Sequence, residues 1–419
     1  MRRQANTCGR PLLLAAALLL AAAAPARAED ESAGSPGEWL TQFSTARVLG
    51  LGGACVATPA DALGVLWNPA GLSLMDQNQL SFENTRLYED TGINSVSFAV
   101  PGSRLPSFGV TMIALRSGEF QRTNELNDAL GTFQEGETAY LLTLAHNLTP
   151  RVALGANFKV VEQRVEDERG TGMGADLGGV VSLTPTLRAG LAVANLGGPT
   201  LRLRETDETY PVVVRGGLAL SVYGGRGLIA AQVDRSDGLG TRFHGGAEYW
   251  ILPAFGLRAG YAEEGASGGI SYRFRQQYQI DYAAVDRPLG VTHRVGLSLR
   301  FGGFFASAQA DPEAFSPTGE HPVTRLALNA RTKASSQQWT LEIVNKSDTV
   351  VRRFGGQGKP PAHVEWDGKD ETGLPLADGF YQYRLLVTDR DGRIVASSPR
   401  TVEILTSGPD VQVPVIPAQ

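Results

Sequence analysis

Cysteine is nearly absent from this sequence of 419 residues: there are two, Cys8 and Cys55. Cys8 lies in a segment read below as a leader, so Cys55 stands alone, which excludes a disulfide framework or a thiolate metal site within one chain. Histidine is scarce too. His146, His244, His293, His321 and His363 are the five, and none has a histidine neighbour at metal spacing. There is no G-x-S-x-G nucleophile turn. Gly170-Thr-Gly172-Met-Gly174 is glycine-rich but opens a strand pattern rather than a helix, so it reads as a loop and not a phosphate cradle. No catalytic constellation, cofactor or metal site emerges, and the chain is not expected to be an enzyme.

Long apolar runs are also missing, with one exception. Residues 11–24 are apolar, preceded by Arg2, Arg3 and Arg10 and followed by Ala26-Arg27-Ala28. A run this short with such flanks is a secretory signal peptide, 1–28, cut after Ala28. Its removal takes away four arginines and no acid, and the formal charge falls from −5 to −9. A negative chain is a poor partner for nucleic acid or for a polybasic membrane contact. No other run approaches the length of a spanning helix, so a closed barrel is the one spanning architecture left.

Glycine, at 50 residues, and strict alternation are what the sequence has instead. In 291–301 (VTHRVGLSLRF), Val291, Val295, Leu297, Leu299 and Phe301 share one face, and Thr292, Arg294, Ser298 and Arg300 the other. Period 2 means a strand. Two arginines on the polar face suit a watery lumen better than a packed sandwich core. Similar segments cover 79–87, 93–101, 108–117, 136–147, 151–163, 173–183, 187–196, 210–222, 226–234, 241–251, 255–262, 268–274 and 276–286, giving about fourteen strands with 291–301, an even number as bacterial barrels have. With the first strand running outward, connections after even strands (101–107, 147–150, 184–186, 223–225, 252–254 and the Arg275 corner) are mostly short and nearly free of acid. Those after odd strands (117–135, 164–172, 195–209, 234–240, 263–267) are longer, acidic and glycine-rich. Short periplasmic turns and longer outer loops sort in this way, whereas a soluble sandwich has no reason to sort them. Tyr88, Phe108, Tyr140, Tyr210, Tyr223, Tyr249, Trp250, Phe255, Tyr272 and Phe301 fall near strand ends, where interfacial girdles sit. His244 and Glu248 share a strand face; an acid/base pair and a hydrogen-bonded lumen histidine are both open to them. The stretch Arg294-Val-Gly296-Leu-Ser-Leu299-Arg-Phe301 resembles the terminal-strand signal of outer-membrane barrels, which implies the barrel-assembly machinery as a partner and outer-membrane lipid as surroundings.

Ahead of the strands, 49–72 is dominated by small residues that let backbone approach backbone. A helix through 62–67 is expected to stop at Asn68, which precedes Pro69. Gly50–Ala57, Asp61-Ala62 and Trp67-Asn68-Pro69-Ala70-Gly71-Leu72 together resemble the N-terminal region of the PorV/PorQ-like outer-membrane proteins of the FadL superfamily. The resemblance implies a hatch, 29–78, starting on the periplasmic side and lying inside a fourteen-stranded barrel, 79–302, with Trp67, Asn68, Pro69, Ala70 and Gly71 as its motif. It implies either transport of a hydrophobic small molecule or a PorV-like part in protein secretion. The polar, acidic stretch 117–135 departs from the fatty-acid transporters and puts fatty-acid specificity in doubt.

Residues 303–321, with Pro312 and Pro317, read as a linker. Beyond them, 322–406 alternates with more charge, in strands near 339–344, 363–366, 379–389 and 394–405. The block from Val364 to Leu385, with Trp366 and Tyr383 as core and Asp367-Gly368 and Asp378-Gly379 as turns, resembles the Ig-like domain of flagellar-hook assembly (FlgD-type) proteins. Asp389-Arg-Asp391-Gly392 lacks the distal acid of a calcium loop and reads as a hairpin turn. A tail, 407–419, follows. The expected architecture is all-β: a transmembrane antiparallel barrel with a hatch, plus a small periplasmic Ig-like sandwich, in the outer membrane of a Gram-negative bacterium. Secreted cargo or a hydrophobic ligand is the expected partner. An attachment platform, binding secreted or periplasmic proteins through barrel loops and the Ig-like domain, is the alternative.

Overall fold

The computed structural model describes residues 36–406, apart from 42, 44, 88–89, 104, 125, 127, 167, 204–205, 237–239, 263–264, 276, 288–289, 320–321, 348 and 398. The expected signal peptide, most of 29–36 and the tail 407–419 lie outside the described residues, as does Tyr88. The chain divides into two units, Met1–Phe301 and Gly302–Gln419.

In the first unit, fourteen antiparallel strands close into a barrel. They are β1 Asn78–Arg86, β2 Gly92–Val100, β3 Ser107–Arg116, β4 Glu135–Thr149, β5 Val152–Val165, β6 Glu168–Ser182 and β7 Leu187–Leu196. Then come β8 Val213–Val222, β9 Gly227–Ser236, β10 Gly240–Leu252, β11 Phe255–Ala262, β12 Gly265–Phe274, β13 Tyr278–Arg287 and β14 Gly290–Phe301. Each strand pairs with its sequence neighbours, and β14 returns to pair with β1, from Asn78 opposite Phe301 to Arg86 opposite His293. Closure leaves no unpaired edge, which hydrocarbon would not tolerate.

Alternation sets which side of the wall each residue faces. Phe82, Val110, Leu142, Leu154, Phe158, Leu191, Leu257, Ile280 and Leu297 point outward and are exposed, while Gln79, Thr143, Asn157, Lys159, Arg215, Gln232, Arg258 and Asp281 are buried inside. An apolar exterior around a polar interior is the inverse of a soluble protein and places the barrel in an outer membrane.

The sorting of connections by side holds in a narrower form. The two long ones, 117–134 and 197–212, leave the same rim, and each carries its own hairpin: Phe120–Thr123 with Ala129–Phe133, and Thr200–Leu203 with Thr206–Thr209. Most of the stretch 164–172, expected as a loop, is ladder instead, with a tight turn at Glu166: Gln163 pairs with Gly170, Arg164 with Arg169 and Val165 with Glu168. Backbone pairing continues above the membrane whatever the side chains are. Gly170 and Gly172 have a packing reason, since a Cβ on either would stand 3.0–3.1 Å from backbone of Thr200 or Arg202 in the second hairpin. Two of the expected girdle aromatics point elsewhere. Tyr210 is buried. Trp250 faces the lumen, donating to Glu248 at 3.1 Å beneath the Arg273 guanidinium.

The second unit is a pair of sheets. One joins Phe305–Asp311, Thr324–Arg331 and His363–Trp366; the other holds Ala314–Phe315, Arg400–Ile404, Gly379–Asp389, Ser336–Val344 and Val350–Gln357, with Ile394–Ala396 beside Gly379–Asp389. Residues 303–321, expected as a linker, therefore supply a strand: Phe305 to Asp311 pair with Arg331 to Arg325, and alternation in FASAQAD buries Ala308 and Ala310. The expected strand 394–405 is two strands, interrupted around Ser397, whose hydroxyl accepts from the Leu385 amide. Trp366 and Tyr383 are buried in the core with Leu341, Ile343 and Leu385. The turn at Asp389–Gly392 is a hairpin closed by Asp389 N–H to Arg393 C=O at 2.9 Å, with Gly392 at φ +76°.

Candidate functional site

The described residues of 36–75 run down the inside of the barrel. They begin at the rim that bears the long connections, not at the opposite rim as expected. There Trp39 donates to Glu137 and to Tyr210 Oη (3.2 Å), and Tyr210 donates to Glu137 at 2.6 Å. Leu40, Phe43, Leu201 and Tyr210 form one apolar cluster with Ile93, Ile113, Leu141 and Val161 from the wall. Gly37, at φ +71°, lies flat on the Tyr210 ring, where a Cβ would stand 2.3 Å away. The segment ends at Met75, next to the start of β1 at the other rim. The polarity of this path was hidden in the sequence because Trp39 and Phe43 look like any exposed leader remnant until the barrel closes around them.

In between, backbone lies against backbone. A Cβ would stand 2.4 Å from Leu51 O at Gly246, 2.1 Å from Gly52 N at Gly260, 2.2 Å from Val56 O at Gly190, 2.7 Å from Val56 Cγ1 at Gly217, 2.1 Å from Asn68 Oδ1 at Gly178 and 2.4 Å from Pro69 C at Gly155. These glycines come from β10, β11, β7, β8, β6 and β5, so the hatch is seated in a glycine-lined arc of the wall. Fourteen strands enclose more space than side chains alone fill, and here a chain segment fills it.

The hatch motif is one of the closely seated parts. The helix expected through 62–67 is a single 3₁₀ turn, Gly64–Leu66. Asp61 Oδ1 accepts from Leu63 and Gly64, at 3.0 and 2.6 Å, and Gly64 is pressed against Pro59 O, which stops regular continuation. Asn68 is extended, at φ −159°, and caps a second 3₁₀ helix, Pro69–Leu74, accepting from Ala70 N–H at 3.1 Å. Its amide donates to Val56 O at 2.8 Å in the hatch, and to Gly179 O at 3.0 Å and Leu191 O at 3.4 Å in the wall. One side chain, fully buried, thus ties two hatch turns to β6 and β7. Trp67 is buried under the Arg215 guanidinium at 4.8 Å, and Gly71 packs on Pro59 O, 2.1 Å from where a Cβ would be.

Other holding residues carry no motif. Gln232 Oε1 accepts from Cys55 and Val56 N–H, at 2.9 and 2.7 Å. Asn157 donates to Val65 O at 2.9 Å, and Glu83 accepts from Ala46 N–H. Arg47 reaches Asp61 at 3.3 Å and Glu248 at 3.6 Å, and Glu248 and Asp281 bind Arg258 at 2.6 and 3.0 Å. An inward amide or charge inside an apolar strand was the available signal, but not its partner. His244 and Glu248 do share the lumen face. His244 Nδ1 bonds Gly52 O at 2.9 Å and Nε2 lies 3.5 Å from Asp234, so the histidine is a hatch anchor and Glu248 is committed to arginines.

The terminal-strand residues sit as their parity requires. Arg294 is buried inside, Gly296 faces Glu83, Leu299 faces out, and Phe301 is at the rim, stacked on Phe98 at 6.3 Å.

An outer-membrane β-barrel with an N-terminal plug is the class these features define. Similar solved structures include the Pseudomonas putida toluene transporter TodX (14% identity, TM-score 0.46, 61% of this chain and 96% of that one). Others are the CymD monoaromatic hydrocarbon channel (16%, 0.44, 60% and 95%) and a Pseudomonas aeruginosa FadL homologue (13%, 0.44, 62% and 98%). Residues 316–392 match the FlgD Ig-like domain family. Comparison with curated proteins finds no match.

Proposed function

We propose that the protein transports a small hydrophobic molecule between the bilayer and its plugged interior. The reading is carried by an apolar groove of about 720 Å³ on the lipid-facing wall of β4–β7. Leu154, Leu177 and Leu191 rim it, and Gly155, Gly178 and Gly190 thin its floor. The Asn68–Pro69 turn lies directly behind Gly178 and Gly155. An apolar compound dissolved in lipid would meet this groove without crossing water. Behind it stand the paired backbone of β5–β7, thinned by those glycines, and then the hatch motif with its hydrogen bonds.

A PorV-like secretion component or an attachment platform is the second reading, favoured by the FlgD-type match at 316–392. In either case the even strand count returns Phe301 to the rim of Asn78, opposite the long connections. The Ig-like domain is then periplasmic, where it can hold a periplasmic or secreted protein, and the terminal strand is the element offered to the assembly machinery.

The test is uptake. Ala156→Trp and Ala189→Trp fill the groove from its lipid side. Both should slow uptake of monoaromatic or long-chain apolar compounds by cells while the barrel stays heat-modifiable on gels. Unchanged uptake, with a secreted protein captured from the same membranes, would move the assignment to the second reading.

A further inference from the structure

A second groove, of about 430 Å³, lies on the lipid-facing side of β14, β1, β2 and β3, away from the hatch motif. The register there stacks three kinds of chemistry in rows. The lowest row, Leu297, Phe82, Val96 and Met112 across the four strands, is apolar. The next holds Asn84 opposite Asn94, whose amides bond each other at 2.8 Å on the lipid-facing surface. The top row is His293, Arg86, Gly92 and Arg116. Arg86 and Arg116 are two strands apart, roughly 10 Å at ordinary strand spacing, with only the backbone of Gly92 between them. Both are exposed. Neither has an acidic partner among the described residues, whereas Arg122, Arg169 and Arg202 of the same rim pair with Glu166, Glu162 and Asp207. The row belongs to the rim that bears the long connections, hence to the outer leaflet.

Two guanidiniums with no acidic partner among the described residues, over an amide pair over an apolar groove, match an amphiphile with an anionic head. Guanidinium binds phosphate by paired, charge-assisted hydrogen bonds. Asparagines facing hydrocarbon are costly unless something polar meets them. We propose that this face is a binding site for a phosphorylated glycolipid of the outer leaflet. An acyl chain lies along Phe82, Val96 and Met112, sugar hydroxyls meet Asn84 and Asn94, and a phosphate sits between Arg86 and Arg116 over Gly92.

Native mass spectrometry of the full-length protein in mild detergent, titrated with lipid A carrying both phosphates, tests this. Wild type and Arg235→Gln, a rim arginine on β9, should retain the lipid. The double variant R86Q/R116Q should bind about tenfold or more weakly, the loss expected when a charge-assisted contact is removed. Lipid A stripped of phosphate should bind wild type as weakly. Ala114→Trp, which fills the groove and spares the arginines, should also weaken binding. Each variant is read on its heat-modifiable fraction, so a misfolded barrel does not count as lost binding. Equal affinity in R86Q/R116Q, equal affinity for the stripped lipid, or full displacement by millimolar inorganic phosphate would each overturn the proposal.

Discussion

Asn68 and Gly178 touch so closely that a Cβ on residue 178 would stand 2.1 Å from Asn68 Oδ1. The strand supplies no side chain because the hatch supplies one. Gly178→Ala must therefore push Asn68 off its carbonyl partners. We expect a loss of about 1–3 kcal/mol, the usual cost of overpacking, seen as a lower unfolding temperature in heat-modification gels. Gly216→Ala, where nothing lies within 4 Å, should be close to wild type. Equal midpoints for the two would remove the seat.

Asn68→Ala deletes the donor to Val56, Gly179 and Leu191 and the acceptor for Ala70. A buried polar group left unpaired costs about 1–3 kcal/mol. The barrel ladders do not involve this side chain, so insertion should be normal. Protease resistance of the hatch, followed in purified protein, should fall. A hatch as resistant as in wild type would show that Asn68 is dispensable.

Phe301 stands outward at the end of the closing strand, 39% exposed and stacked on Phe98. Phe301→Asp should block insertion and leave degraded material, because it removes the aromatic that ends the terminal-strand signal on the strand that completes the barrel. Phe380→Asp, on an exposed position of the second unit, serves as control. Equal recovery of both from the outer membrane would dismiss the terminal-strand role.

How much of this was legible follows from period. All fourteen barrel strands could be read from short segments between turn signals, several of them with clear alternation, because lipid outside and water or hatch inside ask opposite things of neighbouring residues. Boundaries failed where that demand stops. Arg164 to Gly172 lie above the bilayer, and their side chains say nothing about a ladder made by backbone. The strand Phe305–Asp311 was read as linker because Ala and Ser carry a weak alternation signal. Trp67–Gly71 announced a hatch, but its anchors could not be read. Gln232 and Asn157 are unremarkable until register puts them opposite Val56 and Val65.

In the second unit, burial opposes ionisation of Glu342, but hydrogen bonds and charge from Arg384 (2.7 Å) and Arg353 (3.2 Å) outweigh it and hold its pKa below the usual carboxylate range. A depressed folded pKa contributes stability that is present above the unfolded value, near pH 4.3, and lost as pH falls through the folded one. Both arginines are solvent-exposed, so the contribution is about 0.5–1 kcal/mol. Hydrogen-exchange protection in 379–389 of the full-length protein, taken relative to the intrinsic exchange rate at each pH, should fall below pH 4. Glu342→Gln should flatten that dependence. A variant with the same acid response would assign it to other carboxylates.

The plug is tested most directly by conductance in planar bilayers, comparing the intact protein with one lacking residues 49–72. That deletion removes Val56, Asn68 and Pro69 from the glycine-lined seat while leaving every barrel strand in place. The intact protein should conduct little and the deleted one should form steady, wide channels. If the deleted protein inserts and its conductance stays as low as that of the intact protein, the hatch does not close the lumen, and a transport path guarded by Asn68 is contradicted.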